Sequence, residues 1–336
     1  YSTKKECLDN PRIRNDIRTI CHKIKMIGNK VDRHQFLSSV CVADCKSENG
    51  IIKPRVVWVY PLAVTACENM FFAAIKDTLP EDWVPKPETH HRYFCGRKSG
   101  GMDFKNFDSS VATRLIYDSF AILRELFDFS EYEGGAIPYK YHSLENLWSW
   151  LVDYFVNTPH VIAGDDTIRY KHKGVPSGSM FTNIIDSIAS RISSTYLHRR
   201  EFCGASILTY GDDVIYADCC CHANVLITCA SKELGMSLKL IEPNEHGCLT
   251  YCKAECHLGK PYHPGIWYRN ILNCTSFKYE TAECMMYTKP TREQMNELKK
   301  VRHTLSPAGP NRWLSKWKER LKEYIGIGTD KEVSGL

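Results

Sequence analysis

The tripeptide Gly-Asp-Asp occurs twice in this chain, at residues 164–166 within VIAGDDTIRY and at residues 211–213 within LTYGDDVIYAD. Each copy lies between short apolar, β-prone runs, so each reads as a hairpin with the acidic pair at its turn. Carboxylate oxygens are hard ligands of the kind Mg²⁺ and Mn²⁺ prefer. Two carboxylates on one hairpin and a third on a neighbouring strand could hold two ions for phosphoryl transfer. A source for the third is MDFKNFDSS, with Asp103 and Asp108 five residues apart. On a straight strand that spacing would send the two side chains to opposite faces. A strand that turns into a helix between them can present both.

A third stretch, KGVPSGSMFTNIIDS, supplies a different chemistry. Gly174, Pro176 and Gly178 constrain a loop, and Ser177 and Ser179 place hydroxyls and backbone N–H groups at a helix start. Such an N-terminus suits a phosphate. Thr182 and Asp186 then fall at i and i+4, on one helix face.

These stretches need a scaffold, and the flanking sequence provides one. IIKPRVVWVYP is β-branched and aromatic, a strand ending at Pro61, and LAVTACENMFFAAIKDTL follows as a helix. SSVATRLIYDSFAILRELFDF has helical apolar spacing, with Ser109 or Ser110 as its cap. SLENLWSWLVDYFV, started by Ser143 and Glu145, and MFTNIIDSIASRISSTYLHRR are two further helices. ANVLITCASKELG ends at Gly235 as a helix with a glycine stop, and residues 291–324 read as helical around SPAGP.

The 336 residues are 43% hydrophobic and 25% charged, enough for a large core and for two or three subdomains. No apolar run is long enough to span a membrane and no signal peptide opens the chain, which begins at Tyr1 as a fragment or processed product would. The net charge of +5 is uneven: residues 1–60 carry twelve Lys and Arg against six Asp and Glu, and residues 289–322 are also basic. Basic ends around an acidic middle suit a polyanion clamp around a metal centre. The 16 cysteines form no paired CxxC knuckles. Cys219, Cys220, Cys221 and His222, like Cys252, Cys256 and His257, read as parts of a free-thiol population in a reducing compartment rather than as a zinc signature. The sequon at Asn273 carries no meaning without a secretory signal.

Taken in order, Asp-x4-Asp, SGxxxT and GDD resemble motifs A, B and C of viral RNA-dependent RNA polymerases. GVPSGSMFTNIIDS is especially similar to the polymerases of partitiviruses and picobirnaviruses, which are double-stranded RNA viruses. KPRVVWVYP resembles motif F, and CHLGK, residues 256–260, resembles motif E with His257 where Phe is usual. The resemblance implies an α+β right hand of fingers, palm and thumb, with a small antiparallel palm sheet backed by helices. Its expected divisions are fingers at 1–102, palm at 103–128, a fingers insertion at 129–172, palm again at 173–262, and thumb at 263–336.

The implied activity is RNA-templated RNA synthesis by two-metal nucleotidyl transfer, with ribonucleoside triphosphates as substrates and pyrophosphate as product. Asp103 and Asp212 would ligate two Mg²⁺ or Mn²⁺ ions with Asp213 in support. Asp108, Thr182 and Asp186 would lie near the incoming ribose, Lys53 and Arg55 over the nucleotide, and Ser177 and Gly178 against template or nucleotide. Lys239 and His246 are the candidates for the general acid of motif D. Template and product RNA and a viral capsid protein are the implied partners, in the host cytoplasm within a virion, with no membrane.

Three departures from the family pattern set further expectations. Asp186 stands where many positive-strand viral enzymes have Asn; beside Asp108, it predicts a shared proton or a basic or hydroxyl neighbour. GRKSGGM predicts a short motif A strand. The first GDD lies between motifs A and B, fits no known motif order, and reads as a turn former in the fingers. A reverse transcriptase-like polymerase and a non-catalytic RNA-binding scaffold with a polymerase fold are the alternatives. The retained Asp103, Asp212 and Asp213 disfavour the scaffold, and Asp108 with the SGxxxT helix disfavours the reverse transcriptase.

Overall fold

The computed structural model describes residues 4–31, 38–48, 51–75, 79, 97–132, 135–136, 143–243, 249–252, 254–257, 260–262 and 292–304. The chain divides into two compact units, Tyr1–Pro85 with Gly101–Leu240, and Lys86–Gly100 with Ile241–Leu336.

The first unit opens with α1 (Lys4–Asp9) and α2 (Pro11–Ile27). The Asn10 side chain accepts the Arg12 N–H and Pro11 occupies the first turn, a start signal built from local chemistry alone. Next come β1 (Ser39–Glu48) and β2 (Ile51–Val59), paired antiparallel from Val40↔Val59 to Glu48↔Ile51. The sequence reading contained β2 but not β1. Helix α3 (Leu62–Ile75) follows, then β3 (Ser99–Phe104), a single helical turn α4 (Phe107–Ser110) and α5 (Thr113–Arg124). A two-residue ribbon of β4 (Glu131–Tyr132) and β5 (Gly135–Ala136) precedes α6 (Leu144–Val156), β6 (Pro159–Ile162), β7 (Asp165–Tyr170) and α7 (Thr182–Arg200). The unit closes with β8 (Ser206–Tyr210), β9 (Asp213–Ala217), α8 (Ala223–Leu234) and β10 (Leu238–Ile241).

Two four-stranded sheets result. One has the order β2-β1-β6-β7, in which β1 and β6 run parallel and the hairpin pairs antiparallel. The other has the order β10-β3-β9-β8, with β8 and β9 antiparallel. The expected α+β class therefore holds. Strand β3 is six residues long, an ordinary length, contrary to the short strand read from its glycines. Gly100 and Gly101 are buried within this strand and do not shorten it.

Helices cover the sheets through an aromatic core. Phe71 of α3, Phe120 of α5, Trp148 and Phe155 of α6, and Phe181 at the head of α7 meet largely edge to face. Such contacts add specific geometry to a large apolar burial. Ser143 caps α6 by accepting the Asn146 N–H, and Gly235, in the left-handed region at φ 65°, ends α8 as the sequence predicted. The cap expected for α5 is not made. Ser109 and Ser110 donate instead to Asn106 and Phe107 carbonyls inside the α4 turn, and Ala112 holds the N-cap position.

The second unit contains a three-stranded ribbon of β11 (Thr250–Tyr251), β12 (Ala254–His257) and β13 (Lys260–Tyr262), and helix α9 (Arg292–Thr304). The motif E residues Cys256 and His257 are in β12 and Lys260 is in β13. Helical structure expected over residues 305–324 lies outside the described residues.

Candidate active site

The second GDD is the turn of the β8–β9 hairpin. Tyr210 pairs with Asp213, and Gly211 takes φ 63°, a left-handed conformation that glycine adopts without strain. Two serines of α7 grip this turn. Ser190 Oγ donates to the Gly211 carbonyl at 2.7 Å, and Ser187 Oγ accepts the Gly211 N–H at 2.7 Å. Thr209 Oγ1 donates to the Ser187 carbonyl at 2.8 Å. Gly211 is thus bonded at both its peptide N–H and its carbonyl, and Asp212 and Asp213 remain exposed beside it.

Asp103 is exposed near the end of β3, which is hydrogen-bonded to β9 in the sheet. The chain then turns through Asn106, at φ 52°, into α4, which carries Asp108. This is the strand-to-helix turn that the spacing of Asp103 and Asp108 required. Crowding by neighbouring atoms and then the Asp212 charge push the Asp108 carboxyl above its ordinary range, while its own backbone hydrogen bonding and the charge of Arg55 pull it down.

Asp186 lies one turn into α7 and is buried, with Oδ1 lacking a hydrogen-bond partner among the described residues. Burial, then the charges of Asp108 and Asp212, raise its pKa well above the usual carboxylate range. Asp108, Asp186 and Asp212 therefore share one electrostatic neighbourhood, in which the charge of Arg55 on β2 also acts on Asp108. An unsatisfied buried carboxylate oxygen is costly and marks a place where a hydroxyl-bearing ligand would be welcome.

The loop of residues 174–181 is pressed between two neighbours. The Val175 N–H donates to the Asp108 carbonyl at 2.6 Å and the Gly174 N–H to Val111 at 3.2 Å. Gly174 has φ 80°, and a Cβ there would stand 2.5 Å from the Asp108 carbonyl oxygen. On the other side, the Trp58 N–H donates to Ser177 Oγ at 3.2 Å. A Cβ on Gly178 would fall 1.9 Å from the Trp58 carbonyl oxygen. Ser177 and Gly178 thus fasten the loop to β2, and Gly178 allows two backbones to approach. Thr182 Oγ1 faces the Pro176 carbonyl at 2.6 Å and that of Ser179 at 2.9 Å, closing the loop on the helix.

Glu68 completes the arrangement and was not singled out from sequence. It is 2% exposed on α3, and its carboxylate accepts Ser179 Oγ at 2.5 Å and the Met180 N–H at 2.9 Å. A buried carboxylate at the head of α7 neutralises donors that the helix leaves unpaired. Its signal was a lone acidic residue in the apolar run LAVTACENMFFAAI. The Ser187–Ser190 grip was also missed; its signal was hydroxyl residues at helical spacing where apolar ones would serve a core. Lys171 is a third omission. Its ammonium donates to the Gly174 carbonyl at 2.6 Å, and burial lowers its pKa to about 8.

The remaining predicted residues are more dispersed. Lys53 lies in β2 opposite Lys46, and Lys239 lies exposed in β10. His246 is outside the described residues. The first GDD forms the β6–β7 hairpin in the other sheet, with Gly164 at φ 88°. Asp165 accepts the Thr167 N–H at 2.9 Å and pairs with Arg169 at 2.7 Å, the hydrogen bonding of a turn former. Asp103, Asp212 and Asp213 are all hard oxygen donors, a fit for Mg²⁺ or Mn²⁺.

The family model described as viral RNA-dependent RNA polymerase matches residues 85–242, a span that includes Asp103, the SG loop and the second GDD. The chain is 34% identical over 177 residues to the RNA-directed RNA polymerase of Cryptosporidium parvum virus 1 (strain KSU-1), covering 49% of this chain and 31% of that protein. It is 24% identical over 160 residues to the genome polyprotein of Ljunganvirus 1, covering 47% of this chain and 6% of the polyprotein. The chain therefore spans less than a third of the length of either curated relative. In fold, it is similar to the Sicinivirus 3Dpol RNA-dependent RNA polymerase, with a TM-score of 0.58 at 13% identity over 94% of this chain and 71% of that one. It is also similar to the RNA-dependent RNA polymerase of a human picobirnavirus, with a TM-score of 0.53 at 15% identity over 79% and 60% of the two chains. The fold is that of a right-hand polymerase, and the resemblance read from the motifs is borne out.

Proposed function

We propose that this chain is the polymerising region of an RNA-directed RNA polymerase of a double-stranded RNA virus. The observation that carries the reading is the second GDD turn, gripped by the same helix that presents Asp186 and follows the SG loop, in one electrostatic neighbourhood with Asp108. Asp103 and Asp212, with Asp213 in support, would hold two Mg²⁺ or Mn²⁺ ions, which when bound would supply activation of the 3′-hydroxyl and charge stabilisation of the departing pyrophosphate.

The protein's own groups do the rest. Asp186 Oδ1 and Asp108 select ribonucleotides by hydrogen bonding the 2′-hydroxyl, a contact whose absence leaves a buried polar group unpaired. Arg55, with Lys53 on the same strand, pairs with the triphosphate. The loop at Ser177 and Gly178 positions template or nucleotide, and Lys239 or His246 would protonate the pyrophosphate. The working divisions are those expected from sequence: fingers at 1–102 and 129–172, palm at 103–128 and 173–262, and thumb at 263–336. Template and product RNA are the partners, with a capsid protein and a site in virions in the host cytoplasm following from the viral likeness. No helix among the described residues is long and apolar enough to cross a membrane.

The test supplies an RNA template with four ribonucleotides or four deoxynucleotides and Mg²⁺ or Mn²⁺. Incorporation of ribonucleotides alone is expected. Asp212→Asn should abolish it, whereas Asp165→Asn should keep most of it. Equal loss from both substitutions in folded protein, or a preference for deoxynucleotides, would sink the reading.

A further inference from the structure

Helix α7 ends at Arg200, and the chain turns through Phe202, at φ 55°, into Cys203. The Cys203 N–H donates back to the His198 carbonyl at 2.9 Å, holding that cysteine at the helix end. Strand β9 ends at Ala217, and the chain turns through Asp218, at φ 57°, into Cys219, Cys220 and Cys221. Ser206 and Ala217 are the last pair of the β8–β9 ladder, so the two segments meet at the end opposite the GDD turn. The sequence keeps Cys203 sixteen residues from Cys219, which is why no zinc-type spacing was visible.

The thiol sulfurs of Cys203, Cys219 and Cys221 all lie within 4.8 Å of one another. Among the described residues this is the one group of three metal-ligating side chains so gathered. Cys203 is buried, Cys219 and Cys221 are half-buried, and none is in a disulfide. Backbone N–H groups already point at the sulfurs: Cys220 N donates to Cys203 Sγ and Cys221 N to Cys219 Sγ, each at 3.3 Å. Hydrogen bonds of this kind orient thiolates and stabilise their charge when a metal is bound.

We propose that Cys203, Cys219 and Cys221 form a thiolate site for one soft divalent cation of the Zn²⁺ type. Three sulfur ligands select zinc over the hard ions that suit aspartates, and a tetrahedral ion would take its fourth ligand from water or another donor. Each thiol that binds gives its proton to solvent, and no electron moves. The ion would tie the end of α7 to both ends of the β8–β9 hairpin. The hairpin would then be fixed at its tip by Ser187 and Ser190 and at its base by the metal. This inference is independent of the catalytic reading.

The test uses the intact chain, purified under reducing conditions without chelator. Elemental analysis should find about one zinc per chain, and Co²⁺ replacement should give the intense sulfur-to-cobalt charge-transfer absorption and tetrahedral visible bands of a thiolate site. Cys203→Ser and Cys219→Ser should each lose the ion and the absorption. Cys229→Ser, at a half-buried thiol on α8, should retain both. A strong chelator should lower the melting temperature of the unsubstituted chain and leave that of Cys203→Ser unchanged. The proposal fails if the folded chain takes up neither zinc nor cobalt, or if Cys203→Ser binds as well as the unsubstituted chain. Mass spectrometry showing a disulfide between Cys203 and Cys219 or Cys221 in freshly isolated protein would also overturn it.

Discussion

Removing the Glu68 carboxylate should loosen the SG loop and destabilise the first unit. Glu68 accepts two hydrogen bonds at the head of α7, from Ser179 Oγ at 2.5 Å and the Met180 N–H at 2.9 Å. Bonds to a buried charged group are worth about 1.5–3 kcal/mol each, so the pair supplies about 3–6 kcal/mol gross. Glu68→Ala also strands both donors, but it relieves the cost of burying the carboxylate itself. Two buried donors left unpaired cost about 1–3 kcal/mol each, so the net loss is about 2–5 kcal/mol, a large part of a typical folding stability. Glu68→Gln keeps the volume and one acceptor for the Met180 N–H. The Ser179 hydroxyl proton then loses its acceptor, at a cost of about 1–2 kcal/mol.

Urea unfolding followed by tryptophan fluorescence reports on the right place, because Trp148 is buried with its ring centroid 5.9 Å from that of Phe181, next to the cap. The expected ranking of midpoints is unsubstituted, then Gln, then Ala, with unchanged slope, and ribonucleotide incorporation should fall in the same order. An Ala variant with the same midpoint and slope as the unsubstituted chain, a difference no larger than the scatter of such extrapolations, would refute the idea that this carboxylate holds the loop.

Two further predictions follow from the same site. Gly178→Ala would put a Cβ 1.9 Å from the Trp58 carbonyl oxygen, so backbone must move; overpacking of this kind costs about 1–3 kcal/mol or more, and incorporation should drop at least tenfold, whereas Gly204→Ala, with nothing within 4 Å of the added carbon, should match the unsubstituted chain in both assays. Asp186 has its folded pKa raised by burial and by Asp108 and Asp212, so the stability it contributes is fully present below the ordinary aspartate range, about pH 4, and is lost as pH rises through the raised value. Asp186→Asn, neutral throughout, should therefore melt higher than the unsubstituted chain at pH 8 without divalent ions, with the gap closing towards pH 4; parallel melting curves across that range would show that Asp186 is not held protonated.

What could be read from sequence was what is written contiguously. The turn at Gly211, the loop at Gly174 and Gly178, and the strand-to-helix passage from Asp103 to Asp108 each need special residues within a few positions, so order and spacing revealed them. The strand Ser39–Glu48 mixes Ser, Cys, Asp and Lys among its few β-branched residues and so gives a weak strand signal, although Asn49–Gly50 in the sequence is a hairpin signal. Glu68, Ser187, Ser190 and Cys203 were illegible for a different reason. Each acts on a partner that only tertiary structure supplies: Glu68 on a helix 112 residues away, Ser187 on a peptide 24 residues away, and Cys203 on thiols across a hairpin.

The distinction between the two GDD turns belongs to that second kind. Locally they are equivalent, each with a left-handed glycine at a hairpin tip. They differ in what approaches from outside. The first turn satisfies its own Asp165 with Thr167 and Arg169, so its charge is consumed within the hairpin. The second spends its backbone, not its carboxylates, on Ser187 and Ser190. A turn held by its peptide groups is fixed in space without using the exposed Asp212 carboxylate to hold it. A group that must bind a cation and stay in place while a bond is made and broken needs both properties, because positioning errors of an ångström cost catalysis heavily. The grip of α7 on Gly211 is thus the physical difference between the two turns, and under the proposed function it is what would present the second for chemistry.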